Sequence, residues 1–426
     1  MNGREQLAGG RWAVATGCYT ARMARRIVFA FLFCAAAARA QDLGMSQASG
    51  TSRNPQSVPM QMIHSMHGSW LLMFHGQAFL NRVNESGPRG ANQTFSTNWF
   101  MASAERPAGG GTILLRAMLS LEPATISGRK YPELFQTGET AFGKQIIDAQ
   151  HPHDFFMELA AEYARTVTHG TVYVYAAPVG EPALGPVAFP HRDSAMELPQ
   201  APITHHFMDS THIAFNVVTA GATFGAVTAE GSAFHGHEPD EQRWKPDGGR
   251  IDSWSARLRL QPLRVLDVQV SHGRLTHPEA IEPGYATRTT ASASASVPFA
   301  WARLSTTLAW GRVYKEVHDR TFDGWLGEAA LHVLDRNHVT VRAERADKDE
   351  LFPHPILTQV PRPPLPVRVF RVDAYTLGYT LDLLYAAHTT TGLGATATRY
   401  QMPALLQPFY GQHPHSVMVF LRTRLG

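Results

Sequence analysis

The chain has 426 residues, 17% of them charged, with two cysteines, 21 histidines and a formal charge of +3; that length admits two ordinary domains or one large β architecture. Both cysteines, Cys18 and Cys34, lie in the first 40 residues together with six arginines and one acid, Glu5, so the remainder holds no cysteine and its charge is −2 rather than +3. A disulfide framework and a cysteine metal site are thereby excluded from residues 41–426, and a nucleic-acid partner loses its electrostatic basis.

In chain order, Arg22, Arg25 and Arg26 precede an apolar run from Ile27 to Ala38, and a small-x-small site, Ala38–Arg39–Ala40, stands before Gln41. This is the layout of a secretory signal peptide, and the run is short for a membrane span. Residues 1–40 therefore read as a leader, with Met23 as an alternative start. Residues 41–67 read as a flexible periplasmic segment. Its "MQMIHSMHGSW" stretch carries Met60, Met62, His64, Met66 and His67, and thioether with imidazole favours copper, above all Cu(I). A lead-in whose methionines merely rest against the next domain is the plainer alternative.

From residue 68 to the end the recurring period is two. "TILLRAMLSL" sets Ile113, Leu115, Ala117 and Leu119 against Thr112, Arg116 and Ser120, and "SWSARLRL" sets Trp254, Ala256, Leu258 and Leu260 against Ser253, Ser255, Arg257 and Arg259. "HVTVRAE" opposes Val339, Val341 and Ala343 to Thr340, Arg342 and Glu344. These are strands with one apolar and one polar face. About sixteen are expected, and their connections alternate between tight turns ("PAGGG", "THG", "QPLRV", "DRN") and long loops at 123–153, 179–209, 236–249 and 349–369.

"QHPHDFFMELAAEYA", residues 150–164, reads either as a helix with Glu158 and Glu162 on one face or as a strand alternating Met157, Leu159, Ala161 and Tyr163 with Glu158, Ala160 and Glu162. The neighbouring pattern selects the strand. Long loops confined to one end, an even strand count and no mature cysteine fit an all-β fold, a transmembrane antiparallel β-barrel in the bacterial outer membrane with short periplasmic turns and long extracellular loops. In that fold the apolar faces meet outer-membrane lipid, while Arg116, Glu158, Glu162, Arg257, Arg259, Arg342 and Glu344 point into the lumen. There they would form a cross-barrel ladder or bias ion selectivity. Trp70, Trp99, Trp254, Trp310, Tyr375 and Tyr379 are expected near the lipid boundary.

All 21 histidines lie beyond the leader, many in the expected long loops. They come in groups, several with an acid: His151, His153 and Asp154 in "HPHD", His205, His206, Asp209 and His212 in "HHFMDSTH", His235, His237 and Glu238 in "HGHE", and His413 and His415 in "HPH". Neutral imidazole with carboxylate suits a divalent metal ion, so the expected cofactor is copper or zinc bound at the outward mouth. The bland reading is a set of polar loop residues that bond one another.

"GETAFGKQ" departs from a phosphate loop because Gln145 stands where a Ser or Thr must hold magnesium. Ser194 near His191 and Ser210 near His212 are the only hints of a hydrolase at the barrel rim.

The stretches "QHPHDFFMELAAEY", "YAAPVGEPALGP", "DSTHIAFNVV", "WSARL", "GRLTHPEAIEP" and "DKDELF" resemble an uncharacterised family of bacterial outer-membrane porin-like β-barrel proteins. That resemblance implies a porin-like architecture and carries over no catalytic residues. The Met/His lead-in is also similar, over about ten residues, to copper-resistance outer-membrane proteins. The expected function is a non-enzymatic, porin-like channel for small solutes or metal ions. The alternatives are the rim hydrolase and a structural or adhesive barrel plugged by its own loops, with residues 179–209 as the plug.

Overall fold

The computed structural model describes residues 48–59, 61–354 and 357–426. The expected signal peptide with its cleavage site, and Met60 of the lead-in, lie outside them. The strands are β1 (Ile63–His67), β2 (Trp70–Glu85), β3 (Asn92–Ala108), β4 (Gly111–Leu119), β5 (Tyr131–Ala141), β6 (Lys144–Gln150), β7 (Phe156–Val167), β8 (Gly170–Gly180), β9 (Ala214–Phe224), β10 (Val227–His235), β11 (Ser253–Leu263), β12 (Leu266–Thr276), β13 (Tyr285–Pro298), β14 (Ala302–Lys315), β15 (Arg320–Val333), β16 (Asn337–Lys348), β17 (Phe370–Ala386), β18 (Thr389–Gln401) and β19 (His415–Leu425).

Among the described residues, all but β1, β5 and β6 form one closed antiparallel ring of sixteen strands, sealed where β19 pairs with β2. Closure matters because hydrocarbon offers no partner to a free backbone N–H or C=O, and a ring of strands leaves no edge. The stretch with two readings is the strand β7, the fourth of the ring, and Glu158 and Glu162 point inward.

Side chains follow the pleat. Leu258 and Leu260 are 49% and 42% exposed, whereas Arg257 and Arg259 beside them are 3% and 6% exposed. Greasy residues outside and charges inside is the reverse of a water-soluble fold, and it is what a lipid-facing barrel requires. The chain is therefore an outer-membrane barrel. Trp254, Tyr375 and Tyr379 are exposed on the outer face, as expected for a boundary belt, but Trp99 is buried and faces the lumen. Its position two residues from Met101 on the same face of β3 puts it inside.

Residues 109–110, 168–169, 225–226 and 264–265 make turns at the end where β2 begins and β19 stops, while the loops 181–213, 236–252 and 349–369 lie at the other end, which also carries the four-residue connection 316–319.

Three inserts fill the bore: residues 48–59, the hairpin β5–β6, whose Leu134 and Phe135 are fully buried, and the loop 181–213. Residues 48–59 are not the free lead-in expected of 41–67: Ala48 to Ser52 are buried, Arg116 donates to the carbonyls of Ala48 and Gly50 at 3.0 and 2.5 Å, and Ser57 donates to the Ser296 carbonyl. Its contacts with Gln261 and Arg264 place this segment at the tight-turn end. Residues 63–67, also within the expected lead-in, form β1, which pairs with β2 where β19 stops.

The loop 181–213 crosses the lumen from the other end. The Ala183 and Gly185 amides donate to Ser232 and Ser271, Thr204 donates to Glu344, and Arg192 reaches Glu328 at 2.7 Å. At its outer end Phe207 seats against Gly311 and Gly324, register partners on β14 and β15. A Cβ on Gly311 would lie 2.2 Å from the Phe207 carbonyl oxygen, and one on Gly324 2.8 Å from the Phe207 ring.

Leu258→Arg, placed mid-strand on the lipid face, is expected to destabilise the barrel by about 2–4 kcal/mol. Guanidinium unfolding in lipid vesicles checks this, and an unchanged midpoint would contradict a lipid-facing position.

Candidate functional site

Where the loop 181–213 meets the hairpin β5–β6 and the loops after β10 and β12, histidines and acids collect. His206 Nδ1 lies 3.2 Å from Glu279 Oε1 and 3.8 Å from Glu238 Oε2, and one donor atom from each of the three residues falls within 4.8 Å of the others. From there imidazoles follow one another. The His151 ring is 6.0 Å from that of His206, His205 is 5.3 Å from both His206 and His212, and His153 is 5.2 Å from His212.

Each ring is held by an acid or a carbonyl. His205 Nδ1 is 2.8 Å from Asp209, which also takes Arg192 at 3.0 Å; His153 is 3.0 Å from Glu122, and His151 Nε2 is 3.0 Å from Glu139. Arg243 binds both Glu139 and Asp154. Seven predicted residues thus meet here: His151, His153, Asp154, His205, His206, Asp209 and His212.

Four predicted residues do not join. The His235 and His237 rings stack on each other at 6.2 Å, with His235 bonded to the Arg250 carbonyl, and His413 and His415 are exposed around the start of β19. Spacing two apart on an extended chain puts such pairs on one side but does not aim them at the lumen. Glu279, Glu238 and Glu139 complete the cluster instead. Glu238 was grouped only with its own "HGHE" neighbours, Glu279 stands beside a strand end in "HPEAIEP" and Glu139 lies within β5, and only the assembled ring brings β10, β12 and that hairpin to the same point as the loop 181–213.

Burial and charge set protonation. Burial holds His151, His205 and His212 below the ordinary imidazole range, His205 at about 4. His206 goes the other way. Burial opposes its charge, but Glu238, Glu279 and Glu139 outweigh it and raise its pKa. Of its two acids, burial lifts Glu238 to about 8, while Glu279, despite burial, is held near 2 by the hydrogen bond and charge of His206. The acids around it favour a charged His206 paired with the Glu279 carboxylate, while burial works against a second negative charge on Glu238.

Two other groups have donor atoms as close. Glu197, His332 and His338 share their site with Arg422 and Arg424, and Glu279, Glu282 and Glu350 have the Lys315 ammonium among them. Resident cations disfavour a metal in both. The His206 trio has its nearest cation, Arg288, farther off, 4.0 Å from Glu238, and His206 Nε2 has no hydrogen-bond partner among the described residues.

The predicted lumen charges all face inward and are buried, yet they form no ladder across the bore. Arg257 pairs with Glu230 at 2.8 Å, Arg342 with Glu328 at 2.7 Å, Arg259 with Asp267 at 2.7 Å and Arg116 with Glu158 at 3.0 Å, each between adjacent strands. Arg116, Arg257 and Arg342 also donate to the inserts, Arg342 to the Gln200 carbonyl, and Glu344 accepts from Thr204. Glu162 is buried beside Arg116, whose charge it supports. The expected serine pairs are not assembled. Ser194 bonds Thr307 and Ser210 bonds Glu238, and neither is hydrogen-bonded to the nearby His191 or His212.

The sequence matches no family model and no curated protein, so the likeness of the lead-in to copper-resistance proteins rests on its few residues alone. Among solved structures, an anion-selective porin from Comamonas acidovorans is similar over 84% of this chain and 100% of its own, with TM-score 0.50 and 12% identity. OmpF of Salmonella typhi in complex with daunomycin matches 85% of this chain and 100% of its own, with TM-score 0.49 and 7% identity. Outer-membrane expressed OmpT of Vibrio cholerae matches 85% and 100%, with TM-score 0.46 and 6% identity. The architecture is porin-like. At these identities the likeness is one of fold.

In the metal-free protein the His206–Glu279 pair is complete below the ordinary imidazole value of 6.5 and is lost as pH rises through the raised His206 value; on the acid side it is lost only as Glu279 protonates near 2. Glu279→Gln is therefore expected to lower the His206 midpoint. Histidine C2-hydrogen exchange followed against pH by mass spectrometry reads it directly, and an unmoved midpoint would show the pair does not form.

Proposed function

We propose that this protein is an outer-membrane barrel whose bore is constricted by its own loops and which binds a divalent metal ion, zinc or copper(II), at its outward mouth. The constriction rests on burial. Arg192 and Glu328 meet in mid-lumen with almost no exposed surface, and the loop 181–213 around them is buried along nearly its whole length. Side chains lining a wide water-filled pore would be wetted, so free diffusion of large solutes does not fit this interior.

The metal reading rests on the convergence of His206, Glu238 and Glu279. Binding would displace the proton His206 carries, because a metal takes neutral imidazole and carboxylate. His151 and Glu139 stand beside the trio as the next ligands inward. The residues that hold the loop 181–213, namely Arg192 on Asp209 and Glu328, also fix His205 through Asp209. The constriction and the imidazole array are thus one construction.

Small solutes and metal ions are the species such a bore would pass, and lipid is its surroundings. A loop-plugged barrel without transport differs from this reading only in conductance.

Single-channel recording in a planar bilayer is expected to show low conductance that rises when residues 183–204 are replaced by a short Gly/Ser linker. A wild-type conductance already that of the linker variant would remove the constriction. Zinc titration calorimetry of the detergent-folded barrel is expected to show a site lost in Glu238→Gln/Glu279→Gln and kept in His413→Ala/His415→Ala. Equal binding by all three proteins would end the metal assignment.

A further inference from the structure

A second constellation lies nearer the tight-turn end and uses different chemistry. His75 on β2 is the register partner of Met101 on β3, and Met101 is the register partner of Met118 on β4. All three face the lumen, so they form one row across three adjacent strands, where paired Cβ atoms stand about 4.5–5.5 Å apart. His75 Nε2 lies 3.1 Å from Met101 Sδ. From the loop 181–213, His191 brings its own Nε2 to 3.1 Å from Met118 Sδ. The Trp99 ring packs against both imidazoles, with centroids 5.0 Å from His75 and 4.4 Å from His191.

Among the other buried imidazoles described in this lumen, the partners are carboxylates, carbonyls or, for His332, a second imidazole. Here two imidazoles turn to thioethers, which are weak hydrogen-bond acceptors. Two thioethers and two neutral imidazoles are instead a soft ligand set, which selects Cu(I) over zinc or a hard cation. The next member of the row, Glu158, is taken by Arg116, the Tyr175 hydroxyl and the Gly50 amide. That pairing also offsets the Arg116 charge beside the row, and the adjoining cavity carries one acid and one base, Asp193 and Arg424.

The position of His191 is built rather than incidental, since Asn54 of the inserted segment 48–59 donates to its carbonyl at 2.9 Å. His75 and His191 border a cavity of about 90 Å³, which Met62 and Met196 also line. Two further thioethers therefore face the space through which an ion would arrive.

We propose that His75, Met101, Met118 and His191 form a Cu(I)-binding site inside the barrel. It is independent of the mouth reading, because it shares no ligand with the His206 trio and takes a different class of ion.

The test is Cu(I) binding by the full, detergent-folded barrel under ascorbate, in competition with the chromophoric chelator bicinchoninate. The wild type is expected to hold one Cu(I) that Met101→Leu/Met118→Leu loses, and copper K-edge absorption is expected to show sulfur and nitrogen neighbours. Leucine conserves volume, so that variant is expected to fold; heat-modifiable electrophoretic migration and unchanged zinc titration verify it. His64→Ala/Met66→Leu/His67→Ala, on exposed β1, is expected to retain the ion. Failure of the wild type to compete, retention by the double leucine variant, or loss in the β1 variant would each overturn the assignment. Loss of zinc binding alone would count only against the mouth site.

Discussion

The pairing of β19 with β2 removes the last free backbone edges from a sheet that lies in hydrocarbon, where an unpaired amide costs several kcal/mol. Everything else follows from that closure. Once the ring is sealed, the pleat leaves only two places for a side chain, lipid or lumen. Every alternating segment must then turn its leucines and valines out and its arginines and glutamates in. The seam lies at the chain's two ends, and β1 prolongs it by pairing with β2 beyond the end of β19.

A ring of sixteen strands encloses more space than its own side chains fill. The segment 48–59, the hairpin β5–β6 and the loop 181–213 occupy it, and the inward charges are arranged to receive them. Arg116, Arg257 and Arg342 each pair with an acid on an adjacent strand and give further donors to insert carbonyls, while Arg422 and Arg424 pair with Glu197 of the loop itself. Buried ion pairs are weak evidence for net stability, since desolvation offsets their attraction, but removing one partner costs about 3–5 kcal/mol. Their effect is to specify where the inserts sit. Arg192 is the clearest case: fully buried, it ties Asp209 of its own loop to Glu328 of the wall.

The inserts carry half of the chemistry and the wall the other half. His206 and His191 arrive on one loop, and the wall and its adjoining loops meet them with acids at the outer end and with methionines nearer the inner end. A hard, charged ligand set and a soft, neutral one are thus proposed along a single loop. What separates them is which strand ends it passes, not the loop sequence itself. The tight apolar seat of Phe207 against Gly311 and Gly324 fixes the phase of that passage.

The barrel was legible in residue order because a period of two is a local property. Ile113 to Leu121, Trp254 to Leu260 and Val339 to Glu344 each declare two faces without reference to any other strand, and the alternation of tight and long connections declares which end is which. The same locality explains what was missed. That Trp99 faces inward, that residues 48–59 fold back into the bore, and that Glu279 and Glu238 complete a site with His206 depend on which strands become neighbours. His75, Met101 and Met118 are separated by 26 and 17 residues and make one row only because β2, β3 and β4 pair in that register. Sequence alone determined the alternation, and hence a lipid-facing wall. Closure of the ring and the path of the loop 181–213 decided which polar residues meet inside it, because contacts across a lumen are set by three-dimensional register and leave no trace in chain spacing.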